Sequence, residues 1–363
     1  MKSGPNPEFM KRALALAERG RATTFPNPRV GCVIVKDGAV VGEGFHERAG
    51  EPHAEIAALA QAGASAKGAD IYVTLEPCCH HGRTGPCTEA LKRAGVARVF
   101  AAMADPNPLV AGKGLAALRA AGVASDVGLM EEEAEALNRG FISRMTRGRP
   151  FVTLKLAMSL DGRTAMGSGE SRWITGEEAR ADVHRLRGEA GAVLTSVETV
   201  LADDPELTVR LPGAKRQPDR IVVDTQLRSP VDARAWAPNA RRIAIGVRPT
   251  ADRVEALRAK GVEVALVSTT PDSRVDLASA LATLGRMEIN AVLAECGPRL
   301  AGALLQARLA DELVLYVAPS LLGHEARALA ELPGLTALAD RVKLRFVETR
   351  MLGADLRITA VPS

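Results

Sequence analysis

Three donors suited to a soft or borderline metal, His53, Cys78 and Cys87, accompany a carboxylate, Glu55, that a three-ligand metal site leaves unspent. One imidazole and two thiolates suit zinc, and three protein ligands leave a fourth tetrahedral position open. Zinc with an open position acidifies water towards neutrality and so makes a hydrolytic nucleophile available at ordinary pH. Glu55 is then free to take a proton from the attacking water and return one to departing ammonia. That is the division of labour in zinc deaminases acting on cytosine-like or adenine-like rings. The alternative is a closed zinc knuckle of His53, Cys78, Cys87 and either Cys79 or His80, which stabilises a fold and leaves Glu55 without a task. Neighbouring side chains diverge, so Cys78 is read as the ligand and Cys79 as packing.

The cysteine spacing is longer than the Pro-Cys-x-x-Cys of nucleic-acid and nucleoside deaminases. The inserted Cys79-His80-His81-Gly82-Arg83-Thr84-Gly85-Pro86 is basic and contains glycine. Its composition suits either a pocket for an anionic group such as phosphate or a solvated loop.

These residues need elements to hold them. Phe9 to Arg19 has helical spacing and stops at Gly20, while Val30 to Val35 and Val40 to Phe45 flank the hairpin signal Asp37-Gly38. His53 to Ala62 reads as helix, Ile71 to Leu75 as strand, Cys87 to Ala94 as helix, Arg98 to Met103 as strand and Gly114 to Ala121 as helix. This alternation predicts a sheet with helices on its faces. It places His53 and Glu55 in one first helical turn, Cys78 at a strand end and Cys87 in another first turn. The positive end of a helix favours thiolate over thiol.

Glu131 to Met145 reads as a long amphipathic helix, broken by Arg147-Gly148-Arg149-Pro150, where a domain boundary is expected. Strand-like runs follow at Phe151 to Leu156, Ile221 to Val223, Ile243 to Val247, Val262 to Val267, Ala291 to Ala294 and Leu313 to Val317, with helical patterns between several of them. A second α/β domain is predicted. Pro212 to Pro218 reads as an exposed loop.

The length of 363 residues agrees with two domains, and 47% hydrophobic residues suffice for a core in each. The net charge of +4 is spread without a basic run, which argues against a nucleic-acid surface and leaves small polar or anionic substrates open. No stretch is apolar enough to span a membrane, and the first residues lack signal-peptide character, so a cytoplasmic protein is expected. Five cysteines do not make a disulfide framework, and Cys32 and Cys296 read as buried small apolar residues.

The second half lacks a Gly-x-Gly-x-x-Gly fingerprint after its first strand. Glu295-Cys296-Gly297-Pro298 ends a strand and opens a helix whose free amides would suit a phosphate; a plain turn is the other reading. Leu194-Thr195-Ser196 leads towards Asp203-Asp204-Pro205 and has a helix-cap reading.

Several motifs together resemble the bifunctional riboflavin-biosynthesis deaminase/reductase family: Pro26-Asn27-Pro28-Arg29-Val30-Gly31, Gly50-Glu51-Pro52-His53-Ala54-Glu55, Thr74-Leu75-Glu76-Pro77-Cys78 through Gly82-Arg83-Thr84 to Cys87, and Asp105-Pro106-Asn107-Pro108 to Gly114. The resemblance continues through Lys155-Leu156-Ala157-Met158-Ser159-Leu160-Asp161-Gly162, Glu170-Ser171-Arg172-Trp173 and Thr199-Val200-Leu201-Ala202-Asp203-Asp204-Pro205. It covers nearly the whole chain. It implies an α/β protein with a cytidine-deaminase-like N-terminal domain, residues 1–147, and a dihydrofolate-reductase-like C-terminal domain, residues 148–363. The first would deaminate 2,5-diamino-6-(5-phosphoribosylamino)pyrimidin-4-one, and the second would use NADPH to reduce the ribosyl group of the resulting uracil to ribityl.

By match, His53, Cys78 and Cys87 would bind zinc, Glu55 would shuttle protons, and Asn27, His46, Asp105 and Asn107 would contact substrate. NADPH contacts are implied at Ala157, Trp173, Thr199, Asp203, Thr225 and the run Gly297-Pro298-Arg299-Leu300-Ala301-Gly302-Ala303. Substrate contacts are implied at Ser171, Arg187, Leu207, Arg210 and Glu295, with the two arginines suited to a phosphate. Lys155 and Asp161 are candidates to handle a proton near the sugar's imine, or to form a structural ion pair, and Trp173 has a core reading besides. Two positions depart from the family pattern: Cys79 stands for a serine or asparagine, and Gly85 for a proline. The resemblance also implies a homo-oligomer. Competing readings are a nucleoside or tRNA deaminase fused to a folate reductase, and a zinc-stabilised module with a nucleotide-sensing domain.

Overall fold

Asn6 caps the first helix by accepting the Glu8 N–H at 3.0 Å, and Pro7, whose missing N–H costs nothing there, opens α1 (Pro7–Glu18). The computed structural model describes residues 4–80 and 85–363. The chain separates into two units, Met1–Gly148 and Arg149–Ser363.

In the first unit, β1 (Gly31–Lys36) and β2 (Ala39–Phe45) form the expected hairpin. Asp37 and Gly38 both have positive φ, 50° and 81°, as a two-residue turn matched to strand twist requires. There follow α2 (Ala54–Ala62), β3 (Asp70–Val73), α3 (Cys87–Ala94), β4 (Arg98–Ala101), α4 (Lys113–Ala120), β5 (Ala124–Val127) and α5 (Glu131–Arg147). The sheet order is β2-β1-β3-β4-β5, with β3, β4 and β5 parallel and β1 antiparallel to both its neighbours. Ile34, Ile71, Leu91 and Leu118 are completely enclosed between sheet and helices. Side chains of this size each contribute about 1.5–3 kcal/mol when withdrawn from water.

Close packing of α2 on the hairpin depends on glycine. A Cβ on Gly44 would lie 2.4 Å from the Ala54 carbonyl, and one on Gly42 would lie 2.3 Å from that of Ala58. The backbone of β2 therefore touches α2 directly and sets where its N-terminus, with His53 and Glu55, comes to rest. Strand β3 ends at Val73 rather than Leu75, so Cys78 sits in the loop beyond the strand and not at its end.

The second unit opens with β6 (Phe151–Ser159), β7 (Arg163–Ala165), α6 (Glu177–Ala190), β8 (Ala192–Ser196), α7 (Val197–Asp203) and β9 (Asp219–Val223). It continues through β10 (Arg242–Gly246), α8 (Ala251–Ala259), β11 (Glu263–Leu266), α9 (Leu277–Arg286), β12 (Ala291–Glu295) and α10 (Pro298–Gln306). It closes with β13 (Glu312–Ala318), β14 (Arg327–Ala328), β15 (Leu344–Leu352) and β16 (Asp355–Pro362). The main sheet runs β11-β10-β9-β8-β12-β6-β13-β16-β15. Neighbours are parallel from β11 to β13, and β16 is antiparallel to β13 and β15. Leu154, Ile221, Ile243 and Ala294 pack on one face and Val193, Val222 and Ala244 on the other, the two-sided burial expected of parallel strands.

Strand order reverses around β8, β12 and β6, so a crevice opens beyond their C-terminal ends, the usual ligand position in open parallel sheets. The β15–β16 hairpin has no counterpart in the strand pattern read from sequence. Of the loop read over Pro212 to Pro218, residues 212–215 are exposed, while Arg216 and Gln217 are half-buried and Pro218 is buried.

Candidate active sites

His53 is the N-cap of α2, with extended backbone, and Cys87 is the first residue of α3. The Cys78 loop folds back between them. Cys78 Sγ lies 3.6 Å from His53 Nδ1, Cys87 Sγ lies 3.3 Å from the same nitrogen, and the backbone N–H of Cys87 donates to Cys78 Sγ at 3.4 Å. An amide at the start of a helix thus points at a cysteine sulfur, which favours thiolate. The three donor atoms lie within 4.8 Å of one another, and among the described residues neither Cys79 nor His80 joins them. Three convergent donors of this chemistry fit zinc with a position left over.

Hydrogen bonding from the Cys87 thiol, then from His53 and the Cys87 amide, drives Cys78 down to about 4 against the cost of burial. The same contact, with burial, pushes Cys87 up.

Glu55 is 3% exposed. Burial, reinforced by the Cys78 thiolate, raises it to about 7, where a carboxyl exchanges protons in both directions near neutral pH. His46, also buried, lies edge-on to His53 with ring centroids 5.3 Å apart. Its Nδ1 faces the Pro52 carbonyl at 3.1 Å and must donate, so Nε2 accepts from Asn27 Nδ2 at 3.0 Å. Burial lowers the His46 pKa and keeps the ring neutral. Asn27, from before the β1–β2 hairpin, and His46, from after it, are thereby joined beside His53. Asp105, raised to about 6 chiefly by burial, accepts the Asn107 N–H at 2.8 Å. His81 and the Gly82-Arg83-Thr84 segment lie outside the described residues.

Sequence reasoning missed Glu76. Its buried carboxylate accepts backbone N–H groups from Asp105, Gly112 and Leu115 at 3.1, 2.9 and 3.0 Å. Gly114 packs so closely that a Cβ there would lie 2.1 Å from the Pro77 carbonyl. A glutamate directly before Pro77-Cys78 is the only signal the sequence carries for this role.

In the second unit a cavity of about 720 Å³ lies beyond β6, β8 and β12. Of the positions implied as cofactor contacts, Ala157, Thr199, Asp203, Gly297, Pro298, Arg299 and Leu300 line it. Ser171, Arg187, Leu207 and Glu295 also line it. Gly297 caps α10 and Pro298 opens it, so the amide-rich helix start faces the cavity. Ser196 caps α7 by accepting the Thr199 N–H at 3.4 Å.

Other implied positions are not in the lining. Trp173 is 69% exposed beneath the Arg180 guanidinium, 4.7 Å from its ring centroid, and is not a core residue. Thr225 and Ala303 are not among the lining residues, and Ala301 and Gly302 are buried in α10. Arg210 is exposed and paired with Glu206 at 3.2 Å. Cys296 is part of the lining and not an enclosed apolar residue. Glu198, Arg327 and Glu331 also line the cavity, without a sequence motif to announce them.

At the cavity floor Arg187 grips Glu295 with Nε to Oε1 at 2.5 Å and Nη2 to Oε2 at 3.0 Å. The fork expected to receive a phosphate is therefore engaged by a carboxylate. Lys155 Nζ stands 3.8 Å from Glu295 Oε2, and its pKa is lowered, first by burial and also by Arg187. Burial works to raise Glu295, but the Arg187 and Lys155 charges outweigh it and keep the group ionised. Asp161, by contrast, accepts the Leu322 and Gly323 N–H groups and the Ser159 hydroxyl in a loop outside the lining.

Comparison with known proteins extends over both units. Residues 5–103 match the cytidine and deoxycytidylate deaminase zinc-binding region, and residues 150–358 match the RibD C-terminal domain. Riboflavin biosynthesis protein RibD of Escherichia coli K12 is 53% identical over 361 residues, covering 96% of this chain and 97% of the relative. The Aquifex aeolicus protein of the same name is 44% identical, covering 96% of each chain. A solved structure of Acinetobacter baumannii RibD superposes with a TM-score of 0.91 at 43% identity and covers 98% of both chains. A Thermotoga maritima diaminohydroxyphosphoribosylaminopyrimidine deaminase/5-amino-6-(5-phosphoribosylamino)uracil reductase gives 0.85 at 34% identity, covering 98% of both chains.

Proposed function

The chain belongs to the RibD family of riboflavin-biosynthesis proteins, and from that premise we propose which of its residues carry the two reactions. It is a bifunctional enzyme, a zinc-dependent deaminase with a cytidine-deaminase-like fold followed by an NADPH-dependent reductase with a dihydrofolate-reductase-like fold. We infer that its substrate is the phosphoribosylaminopyrimidine for which the Thermotoga relative is named.

In the deaminase, His53, Cys78 and Cys87 hold zinc, which when bound supplies the Lewis acidity that readies water for attack. Glu55 takes one proton from that water and delivers one to the departing amine, so that C–NH2 and water become C=O and ammonia. Asn27 and neutral His46 orient the ring, and Asp105 and Asn107 complete the pocket. The observation that carries this reading is the convergence of His53, Cys78 and Cys87 within 4.8 Å of one another, with the enclosed Glu55 carboxyl two residues from His53.

In the reductase, NADPH supplies hydride and the protein supplies orientation and charge. The start of α10, from Gly297 through Ala303, together with Ala157, Trp173, Thr199, Asp203 and Thr225, holds the cofactor. Glu295 accepts hydroxyls of the sugar, and Lys155 beside it holds the proton needed at the imine nitrogen. Ser171, Arg187, Leu207 and Arg210 shape the remaining substrate wall.

Members of this family act on small phosphorylated pyrimidines, and a reducing cytoplasmic setting suits the thiolate ligands. We place the enzyme there as a homo-oligomer, which light scattering of the purified chain tests directly. Among the described residues no helix is long and apolar enough to cross a membrane.

The decisive experiment supplies the diaminopyrimidine ribosyl phosphate with NADPH and follows ammonia and cofactor oxidation together. Wild type gives both. Zinc-loaded Glu55→Ala keeps its metal, loses ammonia release and still oxidises NADPH when given the deaminated substrate; undiminished ammonia release would refute the proton-shuttle assignment.

A further inference from the structure

Arg220, the second residue of β9, has no solvent-exposed surface, a rare position for a guanidinium without a carboxylate partner. Its hydrogen bonds go to the Ala237 carbonyl and, at 2.6 Å, to Asn239 Oδ1, and both are donated by Nη2. Nε and Nη1 are buried and have no acceptor among the described residues. The adjacent carboxylate, Asp219, is held by Arg216 at 2.7 Å. Alternation along the strand turns it to the opposite face.

The register of the sheet puts a second arginine alongside. Arg242 of β10 is paired with Arg220, and residues in register on neighbouring parallel strands share a face. The next residues on that face, Val222 and Ala244, pack with Trp236. Arg242 Nη1 donates to the Trp236 and Lys260 carbonyls, both at 3.0 Å, while its Nε is buried without an acceptor. The two guanidinium groups therefore reach consecutive carbonyls, those of Trp236 and Ala237, in one turn. Trp236 Nε1 is a further buried donor without a partner.

Every unmet group at this spot is a donor, and both charges are positive. Burial, with the neighbouring Arg242 charge added, works against the Arg220 cation and outweighs the support of the Asp219 carboxylate, yet an arginine stays protonated in proteins. A water molecule would accept from two donors but bring two hydrogens of its own, and it would leave the paired charges uncompensated. An anion meets both deficits.

We propose that the N-terminal ends of β9 and β10 enclose a small monatomic anion, a halide, between Arg220 and Arg242. The lack of any exposed surface on Arg220 favours an ion of that size over a phosphate ester. The reductase cavity lies beyond the opposite, C-terminal ends of the parallel strands, so this ion is a structural ligand of the second unit and does not compete with substrate.

The test is thermal unfolding of the full chain at constant ionic strength with gluconate replaced stepwise by chloride or bromide, together with diffraction from crystals grown in bromide. Halide at roughly ten times its Kd raises the melting temperature of the second unit by on the order of 3–6 °C. A bromide anomalous peak is expected between the two guanidinium groups. Arg220→Met abolishes the halide-specific rise and leaves NADPH affinity unchanged; if that variant does not fold, Arg242→Gln reports the same loss. Equal melting temperatures in gluconate and halide, an undiminished rise in a folded variant, or no anomalous peak would overturn the proposal.

Discussion

The carboxylate of Glu76 accepts the backbone N–H of Asp105 at 3.1 Å, linking the residue two positions before Cys78 to the loop that carries Asp105 and Asn107. With Gly112 and Leu115 as further donors, one buried side chain organises the whole approach to α4. Glu76→Gln keeps the shape but replaces one acceptor oxygen with a donor, leaving an amide N–H unmet at a cost of about 1–3 kcal/mol. The expected result is a roughly tenfold to hundredfold fall in deaminase kcat/KM, dominated by KM. Zinc content and NADPH oxidation with deaminated substrate stay unchanged, as metal analysis and the two separate assays will report.

Zinc removal separates the two activities. A chelator that strips the His53–Cys78–Cys87 cluster abolishes ammonia release and leaves the reductase working on deaminated substrate. Cys87→Ser lowers metal content in the same way, whereas Cys79→Ser, outside the donor cluster, retains the metal. Loss of zinc from Cys79→Ser would show that the ligand set is different.

Arg187 and Glu295 are both 12% exposed and bind each other through two hydrogen bonds. Arg187→Met leaves a buried carboxylate with Lys155 as its remaining cation, a loss of about 3–5 kcal/mol by the usual cost of breaking a buried pair. Replacing both, Arg187→Met with Glu295→Gln, recovers part of that stability but not NADPH oxidation. Denaturant unfolding and cofactor absorbance distinguish the two effects.

Asp182 gives the second unit an acid-sensitive joint. It accepts the Tyr316 hydroxyl at 2.6 Å and pairs with Arg185, Arg350 and Arg357 at 2.8, 3.1 and 3.1 Å. Burial raises its pKa, but the Tyr316 hydrogen bond and the arginine charges prevail and hold it below the ordinary aspartate value. A carboxyl depressed in the folded state contributes stability that is fully present above its unfolded pKa, about 3.9. That stability disappears as pH falls through the lower folded value. Wild type should therefore lose stability below about pH 4 more steeply than Asp182→Asn, while the variant is the less stable protein at neutral pH; melting curves across pH 3–7 check both.

How far a sequence speaks for itself differs between the two sites. Zinc chemistry demands particular residue types, so His53, Glu55, Cys78 and Cys87 stand out before any fold is known; Asp37-Gly38 signals a turn because its positive φ values suit few other residues, and Gly297-Pro298 signals a helix start because proline is tolerated in the first helical turn. The family motifs extend this reading to both reactions. Local patterns do not, however, measure distance. Arg187 and Glu295 lie 108 residues apart and meet only because α6 and β12 pack together in the second unit. The pairing of Arg220 with Arg242 depends on strand register, and the hold of Glu76 on the Asp105 loop depends on where α4 docks. The candidates His53, Cys78, Cys87 and Glu55 were thus legible in the sequence alone, since chemistry restricts which side chains can serve, whereas the convergence of three of them without Cys79 or His80 is a tertiary fact. Which charges neutralise one another, which carboxyl is enclosed and which candidate contacts line a cavity were decided by tertiary packing, because burial and charge pairing belong to neighbours in space.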